Sequence, residues 1–174
     1  ASDRTSGFDR RAAWRLEQFH REAVLVHRCF PPHSGPPTNS KFGGLPNLPD
    51  HHEWPRTSEG VPLHFLAQID CSEIPFESAL PSRGVLFFFA RDDEEQIWGF
   101  WGNDQDDCRV IHSLDASAHK TLRAPPPELP PIGGNYGRSN YGQPSIRIFP
   151  KDSPGPNLHV EWPVQLFRIQ TWPD

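Results

Sequence analysis

Methionine is absent from the 174 residues, tyrosine occurs only twice and cysteine three times. Cys29, Cys71 and Cys108 are isolated and in no Cys-x-x-Cys spacing. A secreted disulfide framework and a structural zinc knot are both spaced differently, so the cysteines read as buried reduced thiols. No apolar run approaches the roughly 20 residues of a membrane span. An excess of basic charge is missing as well: Lys and Arg total 17 against 22 Asp and Glu, a formal net charge of -5. A nucleic-acid partner, which needs a basic face, is therefore not expected. No signal peptide is visible, and a chain that starts at Ala1 without any Met reads as processed or trimmed. The default compartment is the cytoplasm.

Catalytic and metal motifs are equally scarce. No serine or cysteine sits in a glycine-framed elbow. Gly43-Gly44 and Gly133-Gly134 are bare pairs, with no phosphate-cradling loop opening a helix. Asn103 to Asp107 is acidic but lacks the glycine and distal glutamate of a calcium loop. His51 and His52 are adjacent, so on an extended segment they point to opposite sides, and no third ligand stands at a metal spacing. No catalytic residue, metal ligand or cofactor is assigned.

What the chain has in quantity is proline, 21 residues, with 12 Phe and 6 Trp. Disordered chains are poor in aromatics, so this composition predicts a folded domain with stiff, long connections. The length suits one domain over residues 1–174. In residues 9–29, Ala12, Leu16, Phe19, Ala23 and Val26 recur on one stripe and predict a helix, with its arginines on the wet faces. Pro31-Pro32 ends it. Strands are predicted within 63–122: Leu63–Asp70, Gly84–Ala90 as a covered central strand, Ile97–Trp101 returning as its hairpin partner, Cys108–His112 and, more weakly, His119–Leu122. Residues 124–144 form a Pro/Gly-rich loop, and residues 145–174 supply C-terminal strands. Pro163 there implies a sheet edge or bulge. The pattern predicts an α+β domain, an N-terminal helix packed on a mainly antiparallel sheet with long Pro-rich connections.

The segment from Ser40 to Pro55, crowded with glycine, proline, histidine and Trp54, reads as a proline-stiffened strap between helix and sheet. Gly43-Gly44 would permit close backbone approach, and Trp54 would pin the strap to the core. Gln68 and Asp70, two residues apart, share one strand face. They either line a pocket or satisfy the strap's buried amides. Lys41 or Arg109 would supply positive charge to such a pocket, and if Phe100 points inward on the 97–101 strand, Trp101 points the other way, toward solvent. Lys41, Trp54, Gln68, Asp70, Trp101 and Arg109 are thus the candidate binding residues.

Several motifs stand in order: Ser40-Lys41-Phe42-Gly43-Gly44-Leu45-Pro46, Glu53-Trp54-Pro55, Pro62-Leu63 running to Ala67-Gln68-Ile69-Asp70, and Gly84-Val85-Leu86-Phe87-Phe88. Together they resemble the YwqG-like family of uncharacterised, largely bacterial proteins, well over residues 40–112 and loosely over 113–174. The resemblance implies an α+β fold and no settled activity. Longer members carry a second half, so the chain resembles a short member or one domain of a larger protein. Some relatives are thought to lie near toxin and immunity genes, which implies protein binding. The leading expectation is a non-enzymatic domain that binds another protein, such as a toxin or other basic partner. The alternative is an enzyme or small-ligand binder with a pocket between the 40–55 strap and the sheet. Sugar binding through Trp101 or Tyr136 has only aromatic content behind it.

Overall fold

The apolar run Val85–Ala90 forms strand β4, and its neighbours on both sides explain why it carries no polar alternation. It pairs antiparallel with β3, His64–Asp70, on one side and with β5, Cys108–Ser113, on the other. A strand with both edges paired and both faces covered can be hydrophobic throughout. The computed structural model describes residues 21–31, 37–92, 106–115, 118, 120–132, 135–136, 146–147 and 156–171.

Beyond β3 the sheet continues through β2, Lys41–Phe42, then β8, Trp162–Thr171, and ends at β1, Arg21–Arg28. The six-stranded order is β1-β8-β2-β3-β4-β5, with every pairing antiparallel. Two-residue strands β6, Asn135–Tyr136, and β7, Ile146–Arg147, form a separate ladder. The register between β3 and β4 shifts between Phe65 and Ala67. The extra residue, Leu66, accepts a hydrogen bond from the Gly43 amide at 2.8 Å.

Two apolar clusters lie on opposite faces. On the strap side, Phe65, Val85, Phe87 and Phe89 pack with Leu48, Trp54, Leu63 and Ala118. On the other, Ile69, Leu86 and Val164 pack with Cys71, and Val26, Phe88 and Leu166 lean on them. Each fully buried large apolar side chain contributes about 1.5–3 kcal/mol. The strap cluster, with three buried phenylalanines, is therefore the main anchor of the fold.

The α+β expectation is wrong. Among the described residues there is no α-helix, only a short 3-10 turn at Cys71–Glu73. The 9–29 helix fails where it can be checked. Arg21–Arg28 is a strand paired residue for residue with β8, from Arg21 opposite Thr171 to Arg28 opposite Val164. Residues 9–20 lie outside the described residues. Ala23-Val24-Leu25-Val26 is a short apolar run that fits either period, and tertiary pairing decides such runs over local propensity. The β4 hairpin with 97–101 is also replaced. Both edges of β4 are taken by β3 and β5, while 97–101 lies outside the described residues. Residues 120–122 are not a strand. Pro163 marks no edge, for β8 lies between β1 and β2. Its carbonyl accepts from Cys29 just past the end of β1, so the donor it lacks is missing where that ladder already stops. Cys29 and Cys71 are buried but Cys108 is exposed. No helix among the described residues is long and apolar enough to cross a membrane.

Candidate functional site

The strap begins as a sheet strand. Lys41 stands opposite Gln68 on one side and Pro163 on the other, and two glycines then turn the chain over the sheet. Gly43 and Gly44 have φ of 59° and 69°, the left-handed region that side chains disfavour. A Cβ on Gly43 would meet the carbonyls of Val160 and His159, and one on Gly44 would meet Glu161. The Gly44 amide donates to the His159 carbonyl at 2.9 Å. Close approach and backbone conformation both require glycine here.

Under the strap the polar groups are closed into one another. Gln68, fully buried, donates through Nε2 to the Asn39 carbonyl at 2.7 Å and to Asn47 Oδ1 at 2.8 Å. Its Oε1 accepts from the Asn47 amide at 2.9 Å. Asp70 accepts from the Ser72 amide and hydroxyl at 2.9 and 2.7 Å, and its own amide donates to Ser40 Oγ at 2.9 Å. Glu73 accepts from Thr38 Oγ1 at 2.6 Å and from the Asn39 amide at 2.7 Å. Burial pushes the neighbouring Cys71 thiol up, with the Asp70 charge adding to it. Gln68 therefore serves the backbone of the strap and of Asn39 just before it, as buried amides require, while the Asp70 carboxylate caps the Cys71–Glu73 turn. Lys41 is buried on the same face and ends 2.8 Å from Glu161 Oε2.

Past Trp54 the strap leaves an open cleft of about 730 Å³ against β5. Alternation turns Arg109, Ile111 and Ser113 to the strap side, and their burial falls from buried Ser113 to exposed Arg109. The cleft opens where that cover runs out. Trp54 is 6% exposed, stands edge-on to Phe89 at 5.3 Å and donates its indole N–H to the Leu63 carbonyl at 2.8 Å. It forms a wall and has no donor left over. Arg56 and Arg123 come from either side. Arg56 pairs with Glu128 and holds its carboxyl below the usual range. Arg123 donates to the carbonyls of Pro49, at 3.2 Å, and His52. At the rim, the Ser58 amide and hydroxyl hold the Asp106 carboxyl below its ordinary value.

Where β2 and β8 pair, an aromatic patch faces solvent. Phe42 stands opposite Trp162, and Phe30 stacks on Trp162 at 6.3 Å. The Arg28 guanidinium lies 4.4 Å over the same indole. Phe30 is 80% and Val160 72% exposed. Arg28, Phe42, Leu66, Val160 and Trp162 border a pocket of about 290 Å³. His159, also on its border, has Nε2 3.1 Å from Asp92 Oδ2 without hydrogen-bond alignment. The Asp92 amide donates to His64 Nδ1 at 3.1 Å. The His64 proton is thereby placed on Nε2, toward the Pro130 carbonyl at 2.9 Å. That buried ring is a structural link in a fixed tautomer.

Of the six predicted binding residues, Lys41, Gln68 and Asp70 share the strap face, and Trp54 and Arg109 share the cleft. Trp101 lies outside the described residues. His51 and His52 do not point apart. They sit in a turn with rings 4.3 Å apart, and no group of three metal-ligating side chains converges among the described residues. Sequence reasoning missed Arg56 and Arg123, 67 positions apart by number, which no local pattern connects. It also missed Phe30 and Trp162, although an aromatic residue placed before Pro31-Pro32 is a usable sign of a side chain kept out of regular structure.

These features define a strap-covered antiparallel sheet domain with a cleft against β5 and an aromatic patch where β2 and β8 meet. A family model described as a domain of unknown function, DUF1963, matches residues 40–163, and the chain belongs to that family. No curated protein matches the chain.

Proposed function

We propose that this chain is a non-catalytic protein-recognition domain and that the Phe30–Trp162 patch is its contact surface. The observation that carries this reading is Phe30, 80% exposed yet stacked on a tryptophan that Arg28 also braces. Exposed aromatic groups held rigid by neighbours are what interface hot spots are made of, because little side-chain entropy is lost on contact. The adjoining pocket of about 290 Å³ is just below the size usual for small-molecule sites, about 300–1,000 Å³. It suits one large apolar side chain of a partner. The net charge of -5 would steer a basic partner toward the domain. The resemblance to YwqG-like proteins adds immunity-type recognition of a toxin as the finer form of this reading.

The test compares the full chain with Phe30→Ser and Val160→Asp as bait in cross-linked native lysate. A partner identified by mass spectrometry is then purified and titrated at low and high salt. One stoichiometric basic partner, lost with both substitutions and weakened by salt, is the expected result. Equal capture by all three baits would sink the assignment.

A further inference from the structure

The cleft between strap and β5 calls for a ligand of a different kind. Three guanidinium groups border it, from Arg56 at the end of the strap, Arg109 on β5 and Arg123 on the segment after it, with Glu53 the carboxylate of the lining. Among the lining residues three positive charges stand against one negative, with Glu128 at Arg56 and Asp106 near Arg109 offsetting part of that excess, in a chain whose net charge is -5. The three are not equivalent. Arg56 has a carboxylate partner in Glu128. Arg123 is held by the carbonyls of Pro49 and His52, neutral acceptors that fix the group and leave its charge uncompensated. Arg109 is exposed and lies near enough to Asp106 for its charge to favour that carboxylate, but no hydrogen bond or close ion pair holds its guanidinium among the described residues.

We propose that this cleft binds a small organic oxyanion, with Arg109 as the guanidinium that grips it and Arg123 as a fixed positive charge behind. A planar fork presents two parallel N–H donors, which match a carboxylate or phosphate edge and make charge-assisted bonds. Trp54 has spent its indole N–H on Leu63, so it offers only apolar surface, and Ile111 and Pro126 do the same. The ligand therefore has a charged head toward Arg109 and a flat apolar body along Trp54. The cleft's volume, about 730 Å³, lies within the range of small-molecule sites. This site shares no lining residue with the aromatic patch, so either can stand without the other.

Benzoate is the minimal probe, and benzamide is its neutral counterpart of nearly the same shape. In a titration of the nitrogen-15-labelled full chain at constant ionic strength, benzoate should produce saturable shifts at the Trp54 indole and the Ile111 amide. Benzamide should produce none. Arg109→Gln should abolish saturation, and Arg109→Lys, which keeps charge but loses the fork, should weaken binding on the order of tenfold. Both variants must keep the wild-type spectrum elsewhere and its Tm. Absence of saturation with benzoate, equal shifts with benzamide, or an unchanged titration in folded Arg109→Gln or Arg109→Lys would each overturn the proposal.

Discussion

The middle of the sheet and its outer pair of strands solve burial in opposite ways. Over β3 and β4 the strap covers one face of the sheet. Gln68 has its amide fully engaged, and Phe65, Phe87 and Phe89 are buried beneath Leu48 and Trp54. Across β1 and β8 the same kind of apolar residue is left open: Leu25 and Phe167 stand opposite each other, 44% and 45% exposed. The covered middle falls within the family match, while β1 and all of β8 past Pro163 fall outside it. The lesson concerns where to look for function. A polar residue with every partner inside the chain, such as Gln68, stabilises. An aromatic residue that stays exposed although it stacks on a neighbour, such as Phe30, is available to something else.

The sharpest way to break this contrast is at the glycine turn. Gly43→Ala places a Cβ against the Val160 carbonyl at positive φ. It should cost about 3 kcal/mol or more in denaturant unfolding. A loss under 1 kcal/mol, as for an ordinary surface change, would mean the strap is not held as described. Gln68→Leu comes next. It strands the Asn47 amide and the Asn39 carbonyl in the interior, and should cost about 2–3 kcal/mol. Faster hydrogen exchange at Asn47 would localise the damage.

Glu161→Gln tests the one buried lysine of the strap. Lys41 would lose its counter-charge while Glu161 itself is half-exposed, so about 1–2 kcal/mol is expected. Adding Lys41→Met should recover most of it, because the stranded charge is then gone.

Smaller still is a pH effect at the turn beside the cleft. Burial holds the His52 pKa below its ordinary 6.5; His51 and Arg123 add to the depression and Asp115 opposes it. Its folded-state pKa being the lower one, this contribution is present above pH 6.5 and is lost as pH falls through the folded value. Tm should therefore decline on acidification below about pH 6.5, and His52→Gln should flatten that part of the profile. An unchanged slope in the variant would remove His52 from the account. The least effect on stability belongs to Phe30→Ser, within about 0.5 kcal/mol. A large loss there would show Phe30 to be packing and would erase the contrast between the two regions.

Much of the middle was legible in advance. Leu63–Asp70 and Gly84–Ala90 announce strands through apolar runs bounded by glycine and proline, and β3 and β4 fall within a residue of those limits. Gly43-Gly44 announces close approach. Trp54 and Arg109 are among the candidates, but nothing local connects them with Arg123, because a cleft made from three segments has no sequence period. The outer pair misled for a different reason. Ala23-Val24-Leu25-Val26 is short enough to match helix and strand alike, and only a partner about 140 residues away resolves it.

By itself the sequence determined the local facts: which runs are stiff and extended, where only glycine fits, and that aromatic burial holds the domain together. Those properties depend on a residue and its immediate neighbours. Tertiary structure decided the rest: that Arg21–Arg28 is a strand, that Pro163 lies within the sheet, that Gln68 is spent on the strap, and that three distant arginines border one cleft. Each of these depends on which backbone groups and side chains meet across long loops. Sheet pairing sets those meetings through register and burial, and neither is written in any single stretch of the chain.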